Sequence, residues 1–297
     1  MTGDRPVLGI LLMLGFCVLA PLGDSIAKLL GGTIPLLQLL LVRFGLQAVL
    51  LLPYAAVKRI RMRMDRRLFW LTLLRTGLHI IGIGAMFSAL RFLPLADAIA
   101  IAFVMPFILL LLGKYVLGEE VGPRRLMAAV VGFIGTLMVI QPSFAAVGWP
   151  ALLPLTVAVV FSFFMLVTRH IARDIDPIAL QAVSGMMAVP ALALLLLVPG
   201  EIEALSLVMP TASEMALLFA IGALGTMAHL LMTWSLRYAP AATVAPMQYL
   251  EIPVATVIGW LVFRDLPNGL AAFGIALTVA AGLYVILRER RLSRAVA

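Results

Sequence analysis

Charge is scarce in this sequence of 297 residues, of which 12% are charged and 63% hydrophobic. Soluble domains usually carry about 25% charged residues and roughly 45–50% apolar ones. With a mean hydropathy of +1.13, the chain has more apolar surface than a soluble fold of this length could bury. The scarcity of charge therefore excludes a soluble globular protein and predicts an all-α integral membrane protein.

Cysteine and histidine are also rare, with one cysteine, Cys17, and three histidines in the chain. A single cysteine excludes a disulfide framework and a cysteine metal cluster. The sequence also lacks the P-loop pattern G-x-x-x-x-G-K-[ST] and the catalytic patterns H-E-x-x-H and G-x-S-x-G. We therefore expect no cofactor, no metal site and no enzyme active site.

Ten apolar runs are long enough to cross a bilayer, which takes about 20 mostly apolar residues. The first run opens like a signal peptide, but no small-residue cleavage pattern follows it, so we interpret it as an uncleaved span. The ten runs cover residues 7–29, 34–57, 69–91, 94–117, 123–140, 147–170, 177–199, 213–236, 240–262 and 268–287.

The placement of lysine and arginine orients these spans. With the N-terminus in the cytoplasm, 17 of these residues fall in cytoplasmic segments and 3 in outer segments, while Arg43 and Arg75 lie inside spans. Cytoplasmic loops of membrane proteins carry an excess of lysine and arginine. The pattern predicts an N-in, C-in topology. Because the basic residues lie between apolar spans, the net charge of +8 indicates contact with the lipid bilayer, and we expect no nucleic-acid partner.

One phrase of the sequence occurs twice, as LRFLPLA (Leu90 to Ala96) and as LRYAPAA (Leu236 to Ala242). The same offset of 146 positions aligns Glu119 with Asp265 in the turn that follows. Each copy contains five spans, an odd number, so the second copy enters the membrane from the opposite side. The sequence thus predicts ten transmembrane helices in two inverted five-helix repeats, residues 1–143 and 144–297, an arrangement typical of secondary transporters.

The segments that continue these phrases read LRFLPLADAIAIAFVMPFILLLLGKYVLGEE and LRYAPAATVAPMQYLEIPVATVIGWLVFRD. With the ten spans they resemble the two EamA-type repeats of the drug/metabolite transporter superfamily, over nearly the whole chain. The resemblance implies a carrier in a bacterial inner membrane that moves small metabolites, often outward, without ATP. Amino-acid exporters, including aromatic amino-acid exporters, are one branch, and riboflavin and S-adenosylmethionine carriers are others.

From this resemblance we expect a secondary transporter that exports small metabolites, amino acids first, by alternating access at a central site between the repeats. Carriers of riboflavin, S-adenosylmethionine or nucleosides are alternatives. A lipid or head-group flippase and an intramembrane enzyme remain as other classes. Proton coupling, the direction of transport and the choice between a monomer and a homodimer stay open at this stage.

Ionisable groups inside spans are costly in lipid and are candidates for function. Asp24 and Lys28 lie one helical turn apart and can form an ion pair. Arg43 in the second span can contact a carboxylate, and Asp97 in the fourth can bind Arg91. We predict that Asp24, Lys28, Arg43 and Asp97 act in gating or ion pairing, whereas Arg75, near the cytoplasmic edge, is interpreted as structural.

The predicted substrate site combines imidazole, acid and aromatic groups of the third, fourth, sixth, eighth and ninth spans. A neutral histidine can hydrogen-bond a substrate and its titration suits proton coupling, and aromatic walls are common in small-molecule sites. Pro106 and Pro253 predict kinks in the fourth and ninth spans that face a cavity. The site residues predicted are His79, Phe103, Met105, Gln248, Tyr249, Glu251, Trp234 and Phe163, with His229 and Phe16 as further candidates.

Small residues recur every four positions in the fifth and tenth spans, which lets helix backbones approach closely. We predict that these two helices pack together, within one chain or at a dimer contact. The residues are Ala128, Gly132 and Thr136 in the fifth span and Gly274, Thr278 and Gly282 in the tenth.

Overall fold

The computed structural model describes residues 5–116, 123–198, 202–239 and 244–296, and the regular structure in these ranges is helical. The first half contains α1 (Pro6–Leu30), α2 (Leu36–Val57), α3 (Arg66–Leu90), α4 (Leu95–Ala102), α5 (Met105–Val116) and α6 (Pro123–Val147). The second half contains α7 (Leu153–Ile171), α8 (Pro177–Ala193), α9 (Ala212–Tyr238), α10 (Glu251–Phe263) and α11 (Gly269–Val296).

These helices match the ten predicted spans. Seven segments of the described chain are long and apolar enough to cross a membrane, and three shorter apolar segments complete the set of ten. The shorter ones are Leu95–Leu109, Met247–Phe263 and Gly269–Tyr284. The prediction of an all-α membrane protein is therefore confirmed, and its many exposed leucine, valine and phenylalanine side chains are those a lipid solvent would cover.

The fourth and ninth spans are interrupted near their middles. Helix α4 ends at Ala102, and α5 begins at Met105, one residue before Pro106. In the ninth span a 3₁₀ helix (Ala245–Leu250) precedes α10, whose third residue is Pro253. Both prolines thus lie in the first turn of a helix, where the missing N–H removes no hydrogen bond. The predicted kinks are present as breaks at equivalent places in the two halves.

Helix packing follows the symmetry expected of two inverted repeats. Helix α1 packs on α9, and the equivalent pair, α7 on α3, packs in the same way. The pairs α2 with α8, α4 with α10, and α6 with α11 each join equivalent helices of the two halves. Five-helix units related by a two-fold axis in the membrane plane give this pattern of contacts.

The two arginines of the repeated phrase make equivalent hydrogen bonds at opposite ends of the molecule. Arg91 Nη2 donates to the carbonyl of Ile34 at 3.1 Å, and Arg237 Nη1 donates to the carbonyl of Ile175 at 3.1 Å. Each carbonyl belongs to the turn between the first and second helices of its own repeat. The prediction that these arginines shape junctions is confirmed, while Pro240 of the second phrase lies outside the described residues.

The fifth and tenth spans cross closely within one chain, as the small-residue pattern predicts. Thr278 Oγ1 donates to the carbonyl of Gly132 at 3.3 Å. At the crossing itself Gly274 faces Gly135, and a Cβ on Gly274 would overlap the Gly135 carbonyl oxygen. The absence of side chains at both positions is what allows α6 and α11 to approach.

The boundary between the repeats differs from the predicted division at residues 143 and 144. Helix α6 continues through that point to Val147 and ends at Gly148, whose φ of +70° favours glycine. A short 3₁₀ helix (Trp149–Leu152) then leads into α7. The division of the chain into two functional repeats stays a prediction, with Gly148 as its structural break.

Candidate substrate site

A cavity lies near the middle of the bundle, between helices of both halves. Its apolar walls include the rings of Phe16, Phe87, Phe103 and Phe161, with Met105 at the break of the fourth span. The cavity is narrow, with a volume of about 80 Å³. Largely apolar walls with a few polar groups are typical of small-molecule sites.

Four ionisable side chains line the same cavity: Asp24, Arg43, His229 and Glu251. Within the described part of the chain, no protein hydrogen bond engages the carboxylates of Asp24 or Glu251. Glu251 begins α10, and the positive end of a helix dipole favours a carboxylate there. The two carboxylates are therefore available to hold polar groups of a ligand, beside the guanidinium of Arg43.

Arg43 is held in place by neutral partners although it is only 2% exposed. Its Nη1 donates to Gln47 Oε1 at 3.0 Å, and its Nη2 donates to the Gly225 carbonyl at 2.9 Å. The same Nη2 lies 2.9 Å from His229 Nδ1. Nδ1 also lies 2.9 Å from the Gly225 carbonyl oxygen, so it accepts from Arg43 or donates to that carbonyl depending on the tautomer of the ring. The guanidinium so fixed joins α2 of the first half to α9 of the second.

His79 lies behind His229 and does not line the cavity. The two imidazole rings have centroids 4.2 Å apart, and both ring nitrogens of His79 lack a hydrogen-bond partner. Phe44 and Phe164 also pack against His79, with centroid separations of 5.0 Å and 4.7 Å. This aromatic layer forms the floor of the cavity on the side toward the N-terminus of α3.

Arg75 lies one layer below that floor and is fully buried. Its guanidinium donates to Thr168 Oγ1 at 2.8 Å, to Ser184 Oγ at 2.9 Å and more weakly to Thr233 Oγ1 at 3.5 Å. It also stacks over the Phe164 ring at 4.5 Å. The structural interpretation of Arg75 is supported, because it ties α3 to three helices of the second half.

At the opposite end of the bundle, Lys28 joins the two halves. Its Nζ lies 3.5 Å from Asp265 Oδ2 and donates to the Leu93 carbonyl at 2.6 Å. The predicted pair of Lys28 with Asp24 is wrong, because Asp24 turns into the cavity while Lys28 reaches the turn after α10. We call Lys28, Leu93 and Asp265 the outer latch.

We expect Lys28→Gln to make the outer end open more often. The substitution removes the ion pair, which in a partly exposed setting is worth about 0.2–1 kcal/mol. Labelling of Ala20→Cys on a Cys17→Ser background, with a thiol reagent applied from outside, should become roughly two- to fivefold faster. The exchanged pair Lys28→Asp with Asp265→Lys should restore slow labelling. An unchanged labelling rate in Lys28→Gln would show that the outer latch does not stabilise the closed conformation of the outer end.

The structure corrects three further assignments. Phe163 is 41% exposed on the outside of α7, because it is two residues, or about 200°, from the cavity-lining Phe161. Trp234 packs beside the cluster of Leu51, Ala182 and Leu230, away from the cavity. Asp97 accepts from Ser143 Oγ at 3.1 Å and does not bind Arg91.

Gln248 and Tyr249 are buried near the cavity without lining it. The Gln248 amide lies 3.5 Å from Met165 Sδ. The Tyr249 ring fills the space beside Gly282, and its centroid lies 5.5 Å from that of the Phe103 ring. Tyr249 thereby supports the wall of the cavity from behind. Of the predicted substrate residues, the structure brings Phe103, Met105 and Glu251 to the cavity.

Sequence reasoning missed Phe87, Phe161 and Gly225 as cavity residues. Glycine inside a helix was the available signal at Gly225, where a Cβ would overlap the Arg43 guanidinium. For the two phenylalanines the sequence offers no signal, because lipid-facing and cavity-facing aromatics look alike in an apolar span.

Apolar spans in symmetric halves, two interrupted spans and a central cavity lined by charged groups are features typical of membrane transporters. Comparison with known proteins gives the family. A profile of the EamA-like transporter family matches residues 7–141 and again 148–288. The chain belongs to this family, within the drug/metabolite transporter superfamily, and is a multi-pass transporter of a bacterial inner membrane and not an enzyme.

Curated relatives are bacterial transporters of different small molecules. A riboflavin transporter of Rhizobium johnstonii is 30% identical over 256 residues, 85% of this chain and 81% of the relative. A riboflavin transporter of Brucella anthropi is 28% identical and matches 76% of this chain and 79% of its own. An S-adenosylmethionine uptake transporter of Rickettsia prowazekii is 22% identical, over 92% of this chain and 90% of the relative.

A solved crystal structure shares the fold. It superposes with a TM-score of 0.70 at 20% sequence identity, covering 96% of this chain and 98% of that chain. The similarity extends through both halves, so the whole described bundle has a counterpart of known structure.

Proposed function

We propose that the chain carries a flat heteroaromatic metabolite of the riboflavin type across the membrane by alternating access. The observation that carries this proposal is the cavity with four phenylalanines along its walls and Asp24, Arg43 and Glu251 among them. A fused ring system can pack against such rings in offset or edge-to-face contacts. Its carbonyl edge suits the guanidinium of Arg43, and its N–H and hydroxyl groups suit the carboxylates.

The relatives support the same substrate class. Riboflavin and S-adenosylmethionine both carry a planar heteroaromatic ring attached to a polar chain, and both occur in the names of the relatives above. The narrow cavity supports a flat ligand, although its walls have to separate before a whole metabolite can enter. Movement of the two halves relative to one another, as alternating access requires, supplies that separation.

Amino-acid export is the second candidate, and one observation favours it. Arg43 offers a positive group and Asp24 and Glu251 offer negative ones inside the same cavity. A zwitterion would pair its carboxylate with Arg43 and its ammonium group with an acid. An aromatic amino acid would also use the phenylalanine walls, so the two candidates share residues and differ in the charge of the ligand.

Counterflow in proteoliposomes separates the candidates. Liposomes preloaded with unlabelled riboflavin, S-adenosylmethionine, a nucleoside, or tryptophan are offered the matching labelled compound outside. We expect riboflavin to exchange saturably, and excess tryptophan outside to leave that exchange unchanged. Exchange of tryptophan without riboflavin would establish the amino-acid carrier in its place, and exchange of none of the four would favour the flippase.

A matched pair of phenylalanines tests whether the cavity is the site. Phe161→Leu removes a cavity ring and should lower riboflavin counterflow roughly two- to tenfold, since an aromatic pair is worth about 0.5–1.5 kcal/mol beyond its area. Phe163→Leu, on the lipid-facing side of the same helix, should leave counterflow unchanged. Equal effects of the two substitutions would place the substrate elsewhere.

A further inference from the structure

A second, larger opening lies at the arginine-rich end of the bundle and shares no lining residue with the substrate cavity. Its volume is about 590 Å³. Five arginines line it, and we call it the basic cleft: Arg61, Arg63, Arg67, Arg173 and Arg237. Three come from the α2–α3 loop and the start of α3, and two from the α7–α8 loop and the end of α9. The cleft therefore spans the two halves on the face that lysine and arginine placement assigns to the cytoplasm.

The acids of the cleft are largely committed to helix ends. Asp65 accepts the Leu68 N–H at 2.7 Å, and Asp176 accepts the Ile178 N–H at 2.8 Å, so these carboxylates cap α3 and α8. Asp174 is the third acid. Five guanidiniums against three carboxylates leave the cleft positively charged, and the start of α3 adds the positive end of its dipole.

Several of these arginines have N–H groups that are not engaged by carboxylates. Among the described residues, Arg61 and Arg63 make no ion pair with a carboxylate, and neither does Arg67, whose Nη2 lies 2.6 Å from His170 Nε2. Arg237 uses one amino group on the Ile175 carbonyl. A guanidinium presents five donors in a fork that matches the oxygens of a phosphate. A phosphate, whose several oxygens can accept from more than one guanidinium at once, is thus an anionic group that fits this arrangement of donors.

The depth of the cleft points to the source of the phosphate. Phe69 and Trp70, within the first five residues of α3, are 44% and 57% exposed. Exposed aromatic side chains at a helix end mark the level of the lipid head groups. On the cytoplasmic side that level is occupied by anionic lipids, which attract nearby lysine and arginine by about 1 kcal/mol each. A phosphate-bearing lipid is therefore the anion that the cleft meets first.

We propose that the basic cleft binds the phosphate of an anionic phospholipid head group and thereby bridges the two halves on the cytoplasmic face. The bound lipid connects the two halves on the cytoplasmic face, as the ion pair between Lys28 and Asp265 connects them at the outer end. Occupancy of the cleft holds the start of α3 beside the α7–α8 loop. The conformations that open this face are then disfavoured in membranes rich in anionic lipid.

Binding is measured directly, without transport. The protein is placed in nanodiscs of phosphatidylcholine with or without phosphatidylglycerol, and lipid affinity is followed by native mass spectrometry together with the melting temperature. We expect phosphatidylglycerol to be retained and to raise the melting temperature. The double variant Arg61→Gln with Arg67→Gln should bind it at least about tenfold more weakly, because it loses charge-assisted hydrogen bonds from two guanidiniums to the phosphate.

A control with the same loss of charge makes the test specific. Lys58→Gln with Arg66→Gln removes two positive charges from the same segment without touching the cleft. This control loses only the general attraction of two surface charges, so its affinity for phosphatidylglycerol should fall clearly less than that of the cleft variant. Equal weakening in both double variants, or none in the cleft variant, would overturn the proposal. If the cleft double variant does not fold, the single change Arg63→Gln, in an exposed loop, gives the same comparison against Lys58→Gln.

The source of the phosphate is settled by a further arm of the experiment. Inorganic phosphate is added to protein in pure phosphatidylcholine nanodiscs at constant ionic strength. No change in melting temperature supports a lipid head group as the ligand. Stabilisation equal to that by phosphatidylglycerol would overturn the lipid assignment in favour of a soluble phosphate. All of these readouts are independent of which substrate the carrier moves.

Discussion

Gly225→Ala is expected to abolish most substrate binding while the protein stays folded. A methyl group at this position would overlap the Arg43 guanidinium, which lies directly against the backbone of α9. Arg43 would have to leave the Gly225 carbonyl and His229 Nδ1, both of which it contacts at 2.9 Å. Hydrogen bonds to charged groups contribute about 1.5–3 kcal/mol each. Counterflow and ligand affinity should therefore fall roughly ten- to a hundredfold.

The control for this variant is Gly77→Ala, since no atom lies within 4 Å of a Cβ at that helical glycine. It should bind and transport as the wild type does. Arg43→Lys gives a second comparison, because it keeps the positive charge and loses the fork that reaches two partners at once. Normal counterflow in Gly225→Ala would show that the position of Arg43 does not matter for the substrate.

Gly274→Ala should lower the stability of the protein by forcing α6 and α11 apart. Its Cβ would overlap the Gly135 carbonyl oxygen and lie 3.0 Å from Met138 Cβ and 3.1 Å from Val139 Cγ2. A backbone atom cannot rotate away as the end of a side chain can, so α6 and α11 have to separate. Overpacking of this kind destabilises by about 1–3 kcal/mol.

The measurement is reversible unfolding in mixed micelles, or the melting temperature in detergent. Gly269→Ala is the matched control, because it adds the same methyl group to the same helix where nothing lies within 4 Å. We expect the control to unfold as the wild type does. Equal stability of the two variants would contradict the close crossing of α6 and α11.

The sequence predicted the architecture well because the bilayer imposes a simple rule. Each span needs about 20 apolar residues with its backbone hydrogen bonds satisfied internally. The long helices α1, α2, α3 and α9 therefore begin and end within a few residues of the predicted limits. The repeated arginine phrase predicted equivalent junctions, and both arginines bind equivalent carbonyls.

The contents of the site were harder to predict from the sequence. In a soluble helix, apolar residues mark the buried face, but in lipid both faces of a helix are apolar. Phe161 and Phe163 therefore look equivalent in the sequence, although one lines the cavity and the other is exposed. The same ambiguity made Trp234 a candidate, although it packs away from the cavity.

The sequence predicted ion pairs between residues one turn apart on the same helix. In the structure, charged side chains instead contact residues that are distant in sequence. Lys28 was expected to bind Asp24, one turn away, and it instead reaches Asp265 of the other half. Arg43 and His229 are 186 positions apart, and only the packing of α2 on α9 brings them into contact. A helix fixes which residues share a face, whereas the partner of that face depends on helices distant in sequence.

The sequence by itself determined the class of this protein: an all-α membrane carrier whose two five-helix halves enter the bilayer from opposite sides. Hydropathy, the lysine and arginine asymmetry and the repeat are properties of the linear chain, so each can be read without coordinates. The tertiary structure decided which side chains meet at the cavity, at the outer latch and at the basic cleft. Those contacts join helices that are distant in sequence. Because lipid is apolar, the lipid-facing side of a helix is as apolar as its buried side, so the sequence does not distinguish an inward face from an outward one.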